Sequence, residues 1–130
     1  MSVTTHPPAD GGWHKWDRAG FRVDATDACV VVVAHGEVDL DTTVGLYHAI
    51  HLGLRSSPHV IIDMVEVSFI DSSGLGVLIG ARRHALALGG SVSLVQPPPV
   101  VLKILVGTQL QQSFPVFASL DEALQATRTA

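Results

Sequence analysis

The stretch HVIIDMVEVSFIDSSGLGVLIG, His59 to Gly80, decides how this chain folds. It begins just after Pro58 with the apolar run Val60-Ile61-Ile62. A short run with no polar alternation reads as a strand covered on both faces. HVIIDM then leads through Val65 to Ile70 into Asp71-Ser72-Ser73-Gly74, and beyond that point apolar residues recur at helical spacing. Leu75, Ile79 and Leu86 fall on one helix face with Leu78 and Ala85 flanking, and Gly89-Gly90 ends the helix. A buried strand passing through an acid and two hydroxyls into a helix is half of an α/β unit, with Asp71 or Ser72 as the helix cap.

The flanking sequence extends this pattern in both directions. Upstream, FRVDA and CVVVVAHG are separated by Thr26-Asp27-Ala28 and read as a β-hairpin whose second arm is a central strand. Asp39-Leu40-Asp41-Thr42-Thr43 offers cap oxygens to a helix carrying Val44, Tyr47, His48 and Leu52 at helical spacing, which ends near Ser56-Ser57-Pro58. Downstream come the strand SVSLVQ, the break Pro97 to Pro99, a short helix VVLKILVG, and a last strand around Pro115-Val116-Phe117. Ser119 to Glu122 forms a capping box for a closing helix. Helical crossovers make the later strands parallel. The expectation is a single α/β domain over residues 18–130, with a mixed, mostly parallel sheet, an opening hairpin and about four helices. Residues 1–17, with Pro7, Pro8, Gly11 and Gly12 and no periodic pattern, read as a flexible leader, and at least one of Trp13 and Trp16 is expected on the domain surface.

Composition narrows the function. The chain has 130 residues, 47% hydrophobic and 15% charged, enough for one generous core. A formal net charge of -4 and the lack of any Lys/Arg run argue against nucleic acid or an anionic membrane as partner and favour a protein or small ligand. No apolar segment approaches the roughly 20 residues of a membrane span, the N-terminus lacks a signal-peptide core, and the single Cys29 sits in CVVVVA as a small hydrophobe. The expected location is the cytoplasm.

Candidate chemistry centres on Ser72. At a helix start, backbone N–H groups point outward and the dipole favours negative charge, so the position suits either a cap or an added phosphate. A serine hydrolase elbow needs Gly-x-Ser-x-Gly, but Asp71 precedes Ser73 and Ile70 precedes Ser72 at the required glycine position. No Gly-Lys-Ser/Thr follows a glycine cluster, so phosphate-loop nucleotide binding fails as well. Of the 7 histidines, His48 and His51 share a helix face, but no Cys or carboxylate completes a metal set, and His35 reads as a hydrogen-bonded strand-end residue. Neither a metal nor a cofactor is expected. In a parallel sheet the loops leaving adjacent strand ends converge, which brings Asp39 of GEVDL beside Ser72.

Together, GEVDL, IIDMVEVSFIDSSGLGVLIG and LGGSVSLV resemble a STAS domain and, more narrowly, the bacterial anti-sigma factor antagonists, over roughly Phe21 to Thr127. The resemblance implies a protein that is not an enzyme but the substrate of one. Its partner would be an anti-sigma factor that is also a GHKL-type serine kinase, which phosphorylates Ser72. The unphosphorylated form binds the anti-sigma factor and frees a sigma factor, and a serine phosphatase restores it. Asp39 belongs to the implied docking surface close to Ser72, and the helix start, with Asp71, Ser73, Gly74, Gly76, Val77 and Gly80, either joins that surface, where glycines permit close approach of a partner backbone, or packs its outer face under the following helix. Val77, Ala81, His84 and Leu88 are expected on the helix face opposite the core. The free protein is expected to be a monomer. The N-terminal extension and PPPVV at the third helix depart from the family pattern. The alternative within the same fold is a non-phosphorylated sensor or scaffold that binds a small ligand or a stressosome-like assembly.

Overall fold

The computed structural model describes residues 14–16, 18–110 and 112–129. The order of elements is β1 (His14–Trp16), β2 (Ala19–Ala25), β3 (Val30–Val38), α1 (Thr43–Leu54), β4 (His59–Ile70), α2 (Ser72–Ala87), β5 (Ser91–Val95), α3 (Pro99–Gly107), β6 (Val116–Phe117) and α4 (Leu120–Thr129). The strands lie side by side in chain order in one 6-stranded sheet. β1, β2 and β3 pair antiparallel, and β3 to β6 are parallel, so the expected mixed α/β sheet forms.

Because the strands are laid down in one direction across the sheet, right-handed crossovers put α1, α2 and α3 on the same face. That face holds the main core, where Val30, Val32 and Ala34 of β3 meet Leu46 and Ile50 of α1, Leu78, Ala81 and Ala85 of α2, and Val101 and Leu105 of α3. The alternate strand residues Val31 and Ile61, with Cys29, face the other way into a smaller cluster closed by Ala123 of α4. Each fully buried Leu or Ile stabilises the fold by about 1.5–3 kcal/mol, so the three-helix side dominates stability. Cys29 is buried and unpaired, packing as a small hydrophobe.

Three expectations need correction. The sheet starts inside the stretch read as leader, since His14–Trp16 pairs with Phe21, Gly20 and Ala19; residues 1–13 and the side chains of Trp13 and Trp16 lie outside the described residues. The face of α1 that packs is not the one carrying Val44 and Tyr47, which are 44% and 47% exposed, but Gly45, Leu46, Ala49, Ile50 and Leu54. TVGLYHAIHLGL is apolar nearly all round, so spacing could not choose a face, and packing against β2 and β3 selects the compact one. The buried line of α2 runs through Gly74, Leu78, Ala81 and Ala85, while Leu86 is 50% exposed and Ala81 belongs to the core rather than to an outer face.

β4 runs unbroken from His59 to Ile70, but its second half is bulged. Between Val33/His35 and again between Gly36/Glu37 the register with β4 shifts, because β4 carries extra residues there. Bulges break the two-residue alternation and tilt side chains outward, which leaves Val65 and Phe69 exposed and keeps only Val67 and Ile70 of this half buried. On β3, Gly36 has φ +89, and a Cβ there would lie 2.1 Å from the Arg18 carbonyl oxygen. Only glycine fits this crossing. It lets the Glu37 N–H donate to that carbonyl at 3.0 Å, which anchors Arg18 beside the end of β3.

Candidate functional site

β3 and β4 end level with one another, with Val38 paired to Ile70 and the Asp71 N–H donating to the Val38 carbonyl at 3.1 Å. The two loops that follow therefore start as neighbours at the C-terminal edge of the sheet, where parallel α/β folds place their sites.

The first loop is closed. One Asp39 carboxylate oxygen accepts the N–H groups of Asp41 at 3.0 Å and Thr42 at 3.1 Å. The other is hydrogen-bonded to the Arg18 guanidinium, which also pairs with Glu37 at 3.5 Å. Thr42 is buried, donating to the Glu37 carbonyl at 2.6 Å and accepting the Asp39 N–H at 2.9 Å. Asp39 thus closes the turn ahead of α1, and Thr42, at the cap position, makes no side-chain bond to the helix, although its carbonyl accepts the Gly45 N–H at 2.9 Å. The Arg18 bond, helped by Thr42, holds the Asp39 carboxyl below the usual range against the opposing effect of desolvation.

The second loop carries two serines with opposite fates. Asp71 is the cap of α2, accepting the Ser73 N–H at 2.9 Å, the Gly74 N–H at 3.3 Å and the Ser73 hydroxyl. Those bonds, the Ser73 hydroxyl foremost, depress the Asp71 carboxyl, while desolvation and the nearby Asp39 charge push the other way. Ser73 is thereby committed to the cap. Ser72, the first residue of the helix, is exposed, and among the described residues its hydroxyl has no hydrogen-bond partner.

One expectation about phosphate changes here. The Ser73 and Gly74 N–H groups, which an added phosphate was expected to meet, already serve Asp71. A phosphate on Ser72 would instead place about 1.5 to 2 negative charges beside two carboxylates that are held ionised.

The sequence model of the STAS domain matches residues 21–123. The chain belongs to the STAS domain family. Among its relatives, the anti-sigma F factor antagonist of Paenibacillus polymyxa is 27% identical over 97 residues, 73% of this chain and 83% of that protein. An anti-sigma factor antagonist from Mycobacterium paratuberculosis superposes with a TM-score of 0.75 at 31% identity, covering 86% of this chain and 96% of that one. The Bacillus cell fate determinant SpoIIAA in its phosphorylated form superposes at 0.69 with 26% identity, covering 82% and 97%.

In this STAS domain the residues singled out in the sequence divide into two groups. Asp39, Asp71, Ser72 and Ser73 come together at one edge. Gly74 is turned inward: a Cβ there would lie 2.7 Å from Ile70 and 2.9 Å from Val38. It seats the helix on the strand ends and is closed to a partner. Gly76 and Gly80 are exposed, and a Cβ on either would meet nothing within 4 Å, while Val77 is half-buried against the core. Ser72, Gly76 and Gly80 therefore form an open row of small residues running back from the edge.

Two residues of this edge escaped sequence reading. Arg18 sits 21 positions from Asp39, beyond the reach of local pattern. The β2–β3 hairpin register, with Ala19 opposite Gly36, is the signal that could have placed it. Leu40, next to Asp39, is 75% exposed, the most open large apolar side chain among the described residues. Among the described residues no helix is long and apolar enough to cross a membrane.

Proposed function

We propose that this chain is an anti-sigma factor antagonist that binds an anti-sigma factor acting also as a serine kinase, and that phosphorylation of Ser72 ends the complex and so returns the sigma factor to inhibition. The observation that carries this reading is the unequal pair of serines: Ser73 is tied to Asp71, and Ser72 is exposed at the edge beside Asp39 with no bond to its hydroxyl among the described residues. The relatives named as anti-sigma factor antagonists, and the structure of the cell fate determinant SpoIIAA in its phosphorylated form, support it.

In this reading Asp39, Asp71, Ser72, Gly76, Val77 and Gly80 face the partner, with Leu40 as an apolar anchor. The protein works in the cytoplasm as a monomer when free, does no chemistry itself, and is reset by a serine phosphatase. Phosphate at the centre of the contact adds repulsion from charges fixed on both loops and a desolvation cost to reassociation. Incubation with the cognate anti-sigma kinase and ATP should add one phosphate to the wild type and to Ser73→Ala, and none to Ser72→Ala. Phosphate retained by Ser72→Ala would overturn the assignment.

A second reading, a STAS sensor for a small ligand, draws on an open groove of about 510 Å³ between β4, the Pro97 to Pro99 segment and β6, lined by Met64, Val65, Gln96, Leu102 and Phe117. A ligand that raises the unfolding midpoint of both wild type and Ser72→Ala, with no kinase binding by either, would favour it.

A further inference from the structure

The outer seam between α1 and α2 brings together two histidines that the sequence keeps 33 positions apart. His51 Nε2 lies 3.3 Å from His84 Nδ1. The other ring nitrogen of His51, Nδ1, is 3.0 Å from the Tyr47 carbonyl oxygen. A carbonyl only accepts, so Nδ1 carries the proton and Nε2 presents its lone pair to His84. Tyr47 also stacks on the His51 ring, with centroids 4.0 Å apart, and so fixes its plane.

Two imidazole nitrogens bound to one Zn²⁺ at about 2.0–2.1 Å, with a tetrahedral angle between them, are held about 3.3 Å apart. That is the separation found here. In the metal-free chain the same separation serves a hydrogen bond from the His84 Nδ1–H to the His51 Nε2 lone pair. Among the described residues no group of three or more His, Cys, Asp or Glu is placed to hold a metal, so water would complete the coordination. Orientation of a histidine ligand by a carbonyl on its far nitrogen is the usual outer-sphere arrangement of protein zinc sites.

We infer that His51 and His84 form a two-histidine site for a borderline divalent cation of the Zn²⁺, Ni²⁺ or Cu²⁺ class, clamping α1 to α2. On binding, the ion takes the lone pairs of His51 Nε2 and His84 Nδ1, and the proton of His84 resides on its Nε2. His84 is 12 residues beyond Ser72 along one helix, about 18 Å away, so the clamp leaves the Ser72 edge clear. The proposal is independent of the phosphorylation reading. His48, on the same helix as His51, packs edge-on against Tyr47 with centroids 5.7 Å apart and is not a ligand.

Isothermal titration of the full chain with zinc chloride in a non-chelating buffer tests this. One ion should bind per wild-type chain. His51→Ala and His84→Ala should each weaken binding about tenfold or more, since even outer-sphere losses cost 10–100-fold, and His48→Ala should bind as wild type. Zinc should raise the unfolding midpoint of the wild type and of His48→Ala, and raise that of His84→Ala by markedly less at the same zinc concentration, because the clamp exists only in the folded chain. Both substituted rings lie at the surface, and circular dichroism of the metal-free variants verifies their folding. Wild type without saturable binding, undiminished binding by the His51→Ala/His84→Ala double variant, or loss of binding in His48→Ala would each overturn the site.

Discussion

The first turns of α1 and α2 leave neighbouring strands at the same sheet edge, yet one is closed and the other open. Ahead of α1, Asp39 is shared between Arg18 and two backbone N–H groups, and Thr42 is buried with its hydroxyl donated. At α2, Asp71 does the equivalent capping by itself and recruits the second serine to help, leaving the first serine unengaged. An acid that satisfies the helix start releases its neighbour for other work. A chain that capped α2 with Ser72 could not also offer that hydroxyl to a kinase without opening the helix each time.

The largest expected effect comes from making the open turn as charged as the closed one. Ser72→Glu should weaken capture of the anti-sigma factor at least a hundredfold, about 3 kcal/mol, with the fold intact by circular dichroism. Ser73→Ala should retain most of the binding because its hydroxyl faces Asp71. Surface plasmon resonance with the cognate factor separates the two. Equal losses would mean that the distinction between the serines has no bearing on the partner.

Next in size is the seat of α2. Any side chain at Gly74 must enter the space held by Ile70 and Val38. Gly74→Val should destabilise the fold by about 2–3 kcal/mol through overpacking, read as a lower urea midpoint. It should loosen the Ser72 loop in hydrogen exchange while the Asp39 loop, tied to Arg18, keeps its protection.

Much of this arrangement was legible from the residues, and the failures have physical causes. The strands CVVVVA, HVIID and SVSLV were readable because continuous apolar runs between Gly and Pro breaks have few alternatives. The meeting of Asp39 and Ser72 followed from parallel topology alone. The packed faces of α1 and α2 were misjudged because local spacing did not fix their phase; contacts with β2 and β3 choose it for α1, and contacts with α1, β4 and β5 choose it for α2. The bulged half of β4 was hidden since a bulge erases alternation. Arg18 and the His51–His84 pair depend on chain segments meeting from 21 and 33 positions away, a distance at which local pattern is silent.

Acid should affect both turns in the same direction. Asp39 and Asp71 are both held below their ordinary range in the folded chain, so the unfolded chain binds more protons in that region and stability rises with pH. The contribution is complete above the ordinary carboxylate value of about 3.9 and is lost as pH falls through the depressed folded values. Asp71→Asn should flatten the dependence of the urea midpoint between pH 6 and pH 3 and leave the part due to Asp39. Arg18→Ala should remove mainly that other part, since the Arg18 bond is the largest cause of the Asp39 shift. A profile unchanged by either substitution would break the equivalence of the two carboxylates.

The smallest effect tests the open row behind Ser72. A Cβ at Gly76 meets nothing within 4 Å, so Gly76→Ala introduces no clash in the free protein. Replacing glycine inside a helix by alanine reduces the entropy lost on folding, so stability should rise by about 0.5–1 kcal/mol. If a partner backbone lies close against this row, the same methyl group lies in its path and binding should fall while stability rises. Thermal unfolding and partner affinity measured on the one variant therefore move in opposite directions. A variant that is both more stable and equally well bound would confine the docking surface to the strand-end loops, at Ser72, Asp39 and Leu40, and exclude the helix behind them.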